Sequence, residues 1–246
     1  MSGGKTERLD KALVAALGPD AVRRDQPLAR HTALRIGGPA DLLVVAETAL
    51  ALCQAVTLAW EHQVPFRVLG AGSNVLVSDA GVRGLIVLNR ARGITFQSAG
   101  EDAPGGAPTV TAESGASLST VARQAVSRGL AGLEWAATIP GTVGGAVCNN
   151  TGNSRAGVNI GDMVASVDVF DLFRHRTETL ALPRSSWTQR DSFFRRDART
   201  NGRQNYAIRK VTLRLKACDV EQLMSRLEAC RRHRREKNRH ARHNAG

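Results

Sequence analysis

The chain alternates between two hydrophobic periods. Short apolar runs rich in β-branched residues predict strands at DLLVVA (41–46), FRVLG (66–70), NVLVS (74–78) and GLIVLN (84–89). Between the first two lies ALALCQAVTLAWEHQV (49–64), which predicts a mostly buried helix capped by Thr48. Asp79-Ala80-Gly81 turns the chain before GLIVLN, so a small α/β lobe ends near Asn89. Two further strands, GITFQSA and TVTAESG, flank the loop EDAPGGAP (101–108). SLSTVARQAVSRGLAG follows with Leu118, Val121, Ala122 and Ala125 at helical spacing and Gly129 near its end. MVASVDVFD and NYAIRKVTLRLK alternate apolar and polar residues as half-buried strands do. A last helix starts at Asp219, an N-cap with Gln222 three residues on, and presents Val220, Leu223, Met224 and Leu227 as one apolar face. The first eighteen residues mix charge into apolar positions and predict a short amphipathic helix, not a signal peptide.

Composition narrows the class without naming a function. A chain of 246 residues with 42% hydrophobic and 23% charged residues has the makings of a globular core. No run approaches the ~18 apolar residues of a membrane span. Cys53, Cys148, Cys218 and Cys230 show no paired spacing, and with no export signal they read as reduced thiols of a cytoplasmic protein. The net charge of +12 is concentrated late: from Arg226 onward eight Lys/Arg face two Glu, and residues 189–203 carry five Arg against two Asp. Such a tail suits phosphates of several kinds. Against a nucleic-acid partner stand the missing aromatic interleaving, zinc spacing and helix-turn-helix signature. HARH (240–243) has the residues of a metal pair but no apolar support, and no metal site is expected there.

The chemistry sits in two bare stretches. LGAGSNVLVSDAG (69–81) and TIPGTVGGAVCNNTG (138–152) carry glycines that let a ligand approach the main chain and its amides. GAGSNV begins like a dinucleotide fingerprint, but Val75 stands at the third glycine and a strand, not a helix, is expected next. The second stretch lacks the Lys-Ser/Thr of a P-loop. Either alone is equally a tight turn between strands. Together, on an α/β chain, they suggest two lobes gripping one extended ligand.

LGAGSNVLVSDAGVRGLIVLN, GLAGLEWAATIPGTVGGAVCNNTG and QRDSFF, with HTALRIGGPAD (31–41) before them, resemble the UDP-N-acetylenolpyruvoylglucosamine reductase family from about residue 27 onward. The resemblance implies an α+β fold: the two-lobed FAD-binding domain of the vanillyl-alcohol-oxidase (PCMH) type, with a C-terminal helix and basic tail. Its implied division is an N-terminal helical segment (1–26), the FAD-binding domain (27–216, lobes about 27–90 and 91–216) and the start of a substrate domain (217–246). FAD would lie between the lobes. Gly70, Ala71, Gly72, Ser73 and Asn74 would hold its pyrophosphate. Pro140, Gly141, Thr142, Gly144 and Gly145 would line its other side, with Gly115 near the same groove.

The implied reaction is NADPH-driven reduction of UDP-N-acetylenolpyruvoylglucosamine to UDP-N-acetylmuramate in peptidoglycan precursor synthesis. Arg190 falls on the family's catalytic arginine, which clamps the substrate carboxylate with a planar fork; the plainer alternative is a surface arginine of a basic loop. Gln189 replaces the family tyrosine, and NNTGNSRAGVN (149–159) departs from a shorter family run containing an aromatic. The family's proton-donating serine would come directly after Asn244-Ala245-Gly246, and its C-terminal glutamate has no counterpart in the chain. Two functions follow: a flavin-dependent reductase, or an inactive FAD-binding module derived from it.

Overall fold

A computed structural model describes residues 3–100, 104–154 and 157–237. HARH and Asn244-Ala245-Gly246 lie outside the described residues, as does part of the 101–108 loop. The first lobe is built on β1 (Val22–Pro27), β2 (Pro39–Ala46), β3 (Phe66–Leu69) and β4 (Val82–Asn89), in the order β1-β2-β4-β3. β1 runs antiparallel to β2, whereas β4 is parallel to both its neighbours. Two helices, α1 (Gly3–Leu17) and α2 (Ala49–Glu61), cover one face. Leu42, Val44, Leu85 and Val87 point to that side with Leu9 and Leu13, while Leu43, Ile86 and Leu88 point to the other with Leu28 and Ala40. Burial on both faces is why these strands read as unbroken apolar runs. Each fully buried Leu or Val contributes about 1.5–3 kcal/mol. Thr48 caps α2 as expected, accepting from the Ala51 amide at 3.1 Å.

The second lobe holds β5 (Ile94–Gln97), β6 (Thr109–Glu113), β7 (Val164–Asp171), β8 (Arg176–Leu180) and β9 (Tyr206–Arg214). All pair antiparallel, in the order β8-β7-β9-β6-β5. Along one face, α3 (Leu118–Val126), capped by Ser117, buries Leu118, Val121, Ala122 and Ala125 against Val110, Ala112, Val211 and Leu213.

Three expectations are corrected, and QRDSFF, for which none was stated, gains a structure. NVLVS (74–78) is no strand: β3 pairs with β4 alone, and because the two run parallel the segment returns towards the start of β4, with Val77 packed against the Leu28 cluster and Leu76 73% exposed. It is held by main-chain bonds instead, Gly38 and Gly81 both donating to Ser78 O at 2.9 Å. The stretch 138–152 is not all bare loop, because Thr142 caps a short helix, α4 (Val143–Cys148). QRDSFF is a hairpin turn leading into α5 (Phe193–Thr200), which Ser192 caps. In α6 (Val220–Lys237) Asp219 does cap, accepting from the Gln222 amide at 3.0 Å, but only half the apolar face is buried. Leu223 and Leu227 pack against residues 134–138 and α3; Val220 and Met224 stay exposed because they fall off the narrow contact edge.

Candidate cofactor site

The two lobes meet at the glycine stretches. The chain leaves β3 at Leu69 and passes directly into Gly70–Asn74, while the second lobe presents Pro140–Gly145 opposite. Ser73 Oγ donates to the Pro140 carbonyl at 3.2 Å, and a Cβ on Gly70 would overlap Thr142 Oγ1. Beside this contact opens a cavity of about 1230 Å3. That exceeds the ~300–1,000 Å3 of an ordinary small-molecule pocket. Gly70, Ala71, Gly72, Ser73, Asn74, Pro140, Gly141, Thr142, Gly144, Gly145 and Arg190 all line it. Gly115 does not: a Cβ there would stand 2.6 Å from Ala91 O and 2.7 Å from Asn89 Oδ1, behind the floor.

The glycines answer to different neighbours. Gly72 has φ +62° and no room for a Cβ beside the His31 carbonyl; its own carbonyl accepts from Ala33 N at 3.0 Å. A Cβ on Gly144 would lie 2.8 Å from Ser114 Cβ. Gly145 is exposed to the cavity, and a Cβ there would meet only Thr142 Oγ1, at 3.3 Å. Among the described residues, the amides of Ala71, Gly72, Ser73 and Asn74 donate to no protein acceptor. Free amides along an open backbone, in a long cavity, fit a dinucleotide with two phosphates. Arg90 braces the loop from behind, its Nη1 donating to Gly70 O at 2.9 Å.

Several lining residues carried no sequence signal. Asn89 and Ser114 form a buried polar floor: Asn89 Nδ2 donates to Ser114 Oγ at 2.7 Å, and Ser114 Oγ donates to Ile208 O at 2.6 Å. Tyr206 also lines the cavity; burial, then Asp171 and Asp197, raises its phenol above the usual value. Burial likewise pushes the Cys148 thiol up against the opposing pull of Arg195, so it is not poised as a thiolate nucleophile. The basic end of α6 reaches the same rim through Arg232 and Arg234.

Arg190 sits in the turn Gln189–Arg190, between the paired residues Trp187–Thr188 and Asp191–Ser192. Its φ is +59°. Arg196 and Arg199 pair with Asp191, at 3.6 and 2.7 Å, but the Arg190 guanidinium joins no ion pair among the described residues. Arg190 itself lines the cavity. Ser192 is fully buried and donates to Cys148 O at 2.7 Å, which leaves its hydroxyl committed to structure.

Comparisons with known proteins agree with this geometry. Residues 40–172 match the FAD binding domain family. UDP-N-acetylenolpyruvoylglucosamine reductase of Rubrobacter xylanophilus is 49% identical over 134 residues, 54% of this chain and 42% of its own length. The chain thus spans less than half of that relative. The crystal structure of the corresponding Thermus caldophilus reductase superposes with a TM-score of 0.67 at 28% identity, covering 87% of this chain and 70% of its own. p-Cresol methylhydroxylase shares the fold alone, with a TM-score of 0.56 at 14% identity over 89% of this chain and 44% of its own. The chain belongs to the FAD binding domain family, has the two-lobed α+β fold of the vanillyl-alcohol-oxidase type, and is related to the UDP-N-acetylenolpyruvoylglucosamine reductases.

Proposed function

We propose that this chain is the FAD-holding part of a reductase that takes hydride from NADPH and acts on the enolpyruvyl group of UDP-N-acetylenolpyruvoylglucosamine. The observation that carries the reading is the inter-lobe cavity, with open glycine backbone on two sides and an unpaired Arg190 on its rim. In this reading the amides of 71–74 bind the pyrophosphate, and Gly141 and Gly145 let the cofactor lie against the second lobe. The cofactor, when bound, supplies hydride exchange. Arg190 does the rest that these residues can do: its fork holds the substrate carboxylate and stabilises negative charge building up beside it. The phosphates of the UDP-sugar find Arg232 and Arg234 on the α6 rim. Ser192, two residues beyond Arg190, is not free to serve as the proton donor, because it is buried and bonded to Cys148 O.

That last observation favours a second reading, an FAD-binding module without the reductive chemistry. Three measurements separate them. Purified protein mixed with FAD should turn yellow and retain the flavin through gel filtration. NADPH should bleach that colour. Reoxidation by the enolpyruvyl sugar should be present for the reductase and absent for the module. Arg190→Ala should keep FAD binding and weaken the response to the sugar about 10- to 100-fold, the worth of a charge-assisted carboxylate contact. Protein that stays colourless with FAD would sink both readings.

A further inference from the structure

The helix that borders the cofactor loops is also the anchor of Arg190. α4 begins at the glycines of the cavity and ends at Cys148-Asn149-Asn150. Asn150 is 2% exposed and adopts φ +41°, a backbone state that Asn tolerates better than most residues. Its side chain faces two ways: Nδ2 donates to the Thr188 carbonyl at 2.8 Å, and Oδ1 accepts from the Gly161 amide at 3.0 Å. Thr188 immediately precedes the Gln189–Arg190 turn. A parallel path runs on the surface, where Asn149 Nδ2 donates to Gly145 O at 3.0 Å and Arg195 Nη1 bridges Asn149 Oδ1 and Arg190 O at 3.1 and 3.2 Å.

We infer that Asn150 is a positioning residue that fixes the Arg190 turn to α4, so that the cofactor-side helix sets where the cation stands. A residue at φ +59° in a two-residue turn has little intrinsic preference for that state, and Arg gains none from its side chain. The turn is over-determined from outside instead. Ser192, buried and bonded to Cys148 O, ties the far side of the hairpin, while Asn150 holds the near side: it is buried, carries both a donor and an acceptor, and reaches a further element, residues 160–162. The inference rests on the reading of Arg190 as the substrate-facing cation, but the geometry of the turn is measurable without that reading.

The test compares Asn150→Gly and Asn150→Asp in the full chain by amide hydrogen exchange and NMR. Both residues accept a positive φ, so backbone strain does not confuse the result. Asn150→Gly removes both bonds; the amides of 188–191 and of Gly161 should exchange at least about tenfold faster, with the rest of both sheets unchanged. Asn150→Asp keeps an acceptor for Gly161 and loses the donor to Thr188 while it is ionised. In that buried place the introduced carboxyl titrates above its usual range, and once protonated it donates again. The charged groups nearest along the chain on the packed elements are Asp162, Arg190, Asp191 and Arg195. The turn should therefore be loose above about pH 7 and ordered as in the wild type below about pH 5, with Gly161 protected throughout.

In Asn150→Asp a merely structural role would loosen Gly161 and the turn together and show no recovery in acid. Turn amides that stay protected in Asn150→Gly, or an Asn150→Asp variant indifferent to pH, would overturn the inference. FAD added to each variant reports separately. Failure of all of them, wild type included, to bind it would refute the proposed function and leave the turn result standing.

Discussion

The two glycine stretches look interchangeable as text and are not interchangeable as structure. In 70–74 the absent side chains answer to the protein itself: Gly72 is closed off by the His31 carbonyl and Gly70 by Thr142. In 140–145 the demand is split. Gly144 is packed against Ser114, but Gly145, one residue on, faces open cavity. A Cβ on Gly145 would press on the protein only at Thr142 Oγ1, 3.3 Å away, and its other side is open to a ligand. Gly145 is thus the residue at which ligand approach and fold can be pulled apart.

Replacing Gly72 by valine is expected to have the largest effect. A β-branched side chain at φ +62° against the His31 carbonyl should cost upward of about 3 kcal/mol, enough to take most of a domain's margin. Thermal unfolding should fall by many degrees, and loss of FAD would then be secondary to loss of the loop. Gly145→Val should do the reverse: unfolding of the cofactor-free protein within about 1 kcal/mol of wild type, and FAD affinity down by tenfold or more, read by absorbance titration. Gly145→Ala sharpens the contrast, since alanine in the first turn of α4 gains up to about 1 kcal/mol of helix propensity while still crowding the cavity. If Gly145→Val binds FAD normally, the comparison between the stretches fails.

The smallest expected effect is on pH dependence, through His31, whose carbonyl closes off Gly72. Burial, then Arg90, Arg23 and Arg30, hold its imidazole below the ordinary value of 6.5, and its Nε2 is buried without a partner. The unfolded chain thus binds a proton that the folded chain resists. Stability from this group is present above about pH 6.5 and is lost as pH falls through and below that value. A thermal melt series against pH should show the loss, and His31→Gln should flatten it. An unchanged slope in that variant would remove His31 from the account of the loop.

Much of this was legible because the physics is local. Alternation and β-branching located β2, β4, β7 and β9, and Thr48 and Asp219 announced their helices by side-chain capping. NVLVS misled because a short apolar run says nothing of whether a partner strand is free; β3 has already taken the edge beside β4. α4 was hidden by its own composition, since Thr142-Val-Gly-Gly is poor helix sequence held by a cap and by burial of Val143, Ala146 and Val147. The floor formed by Asn89 and Ser114 joins residues 25 apart, and Ser114 reaches 94 residues on to Ile208. Spacing carries no trace of such contacts. Spacing says as little of Gln189, which shares the turn with Arg190, or of Asn150, which bonds the Thr188 carbonyl just before that turn.

The order of strands in the second sheet also sets a timetable. Every strand of the first sheet lies between residues 22 and 89, so that sheet has all its strands as soon as β4 has been synthesised, and Leu172 and Ala207 join its buried core later. The second sheet is different, because its middle strand, β9, is its last in sequence. Until Tyr206–Arg214 emerges from the ribosome, β6 and β7 each present an unpaired edge and the cavity lacks the wall formed by Tyr206, Ala207 and Ile208. Nascent chains stalled before residue 206 should therefore show a protected first lobe, a protease-sensitive second one and no retention of flavin, with the last two changing together once β9 is out.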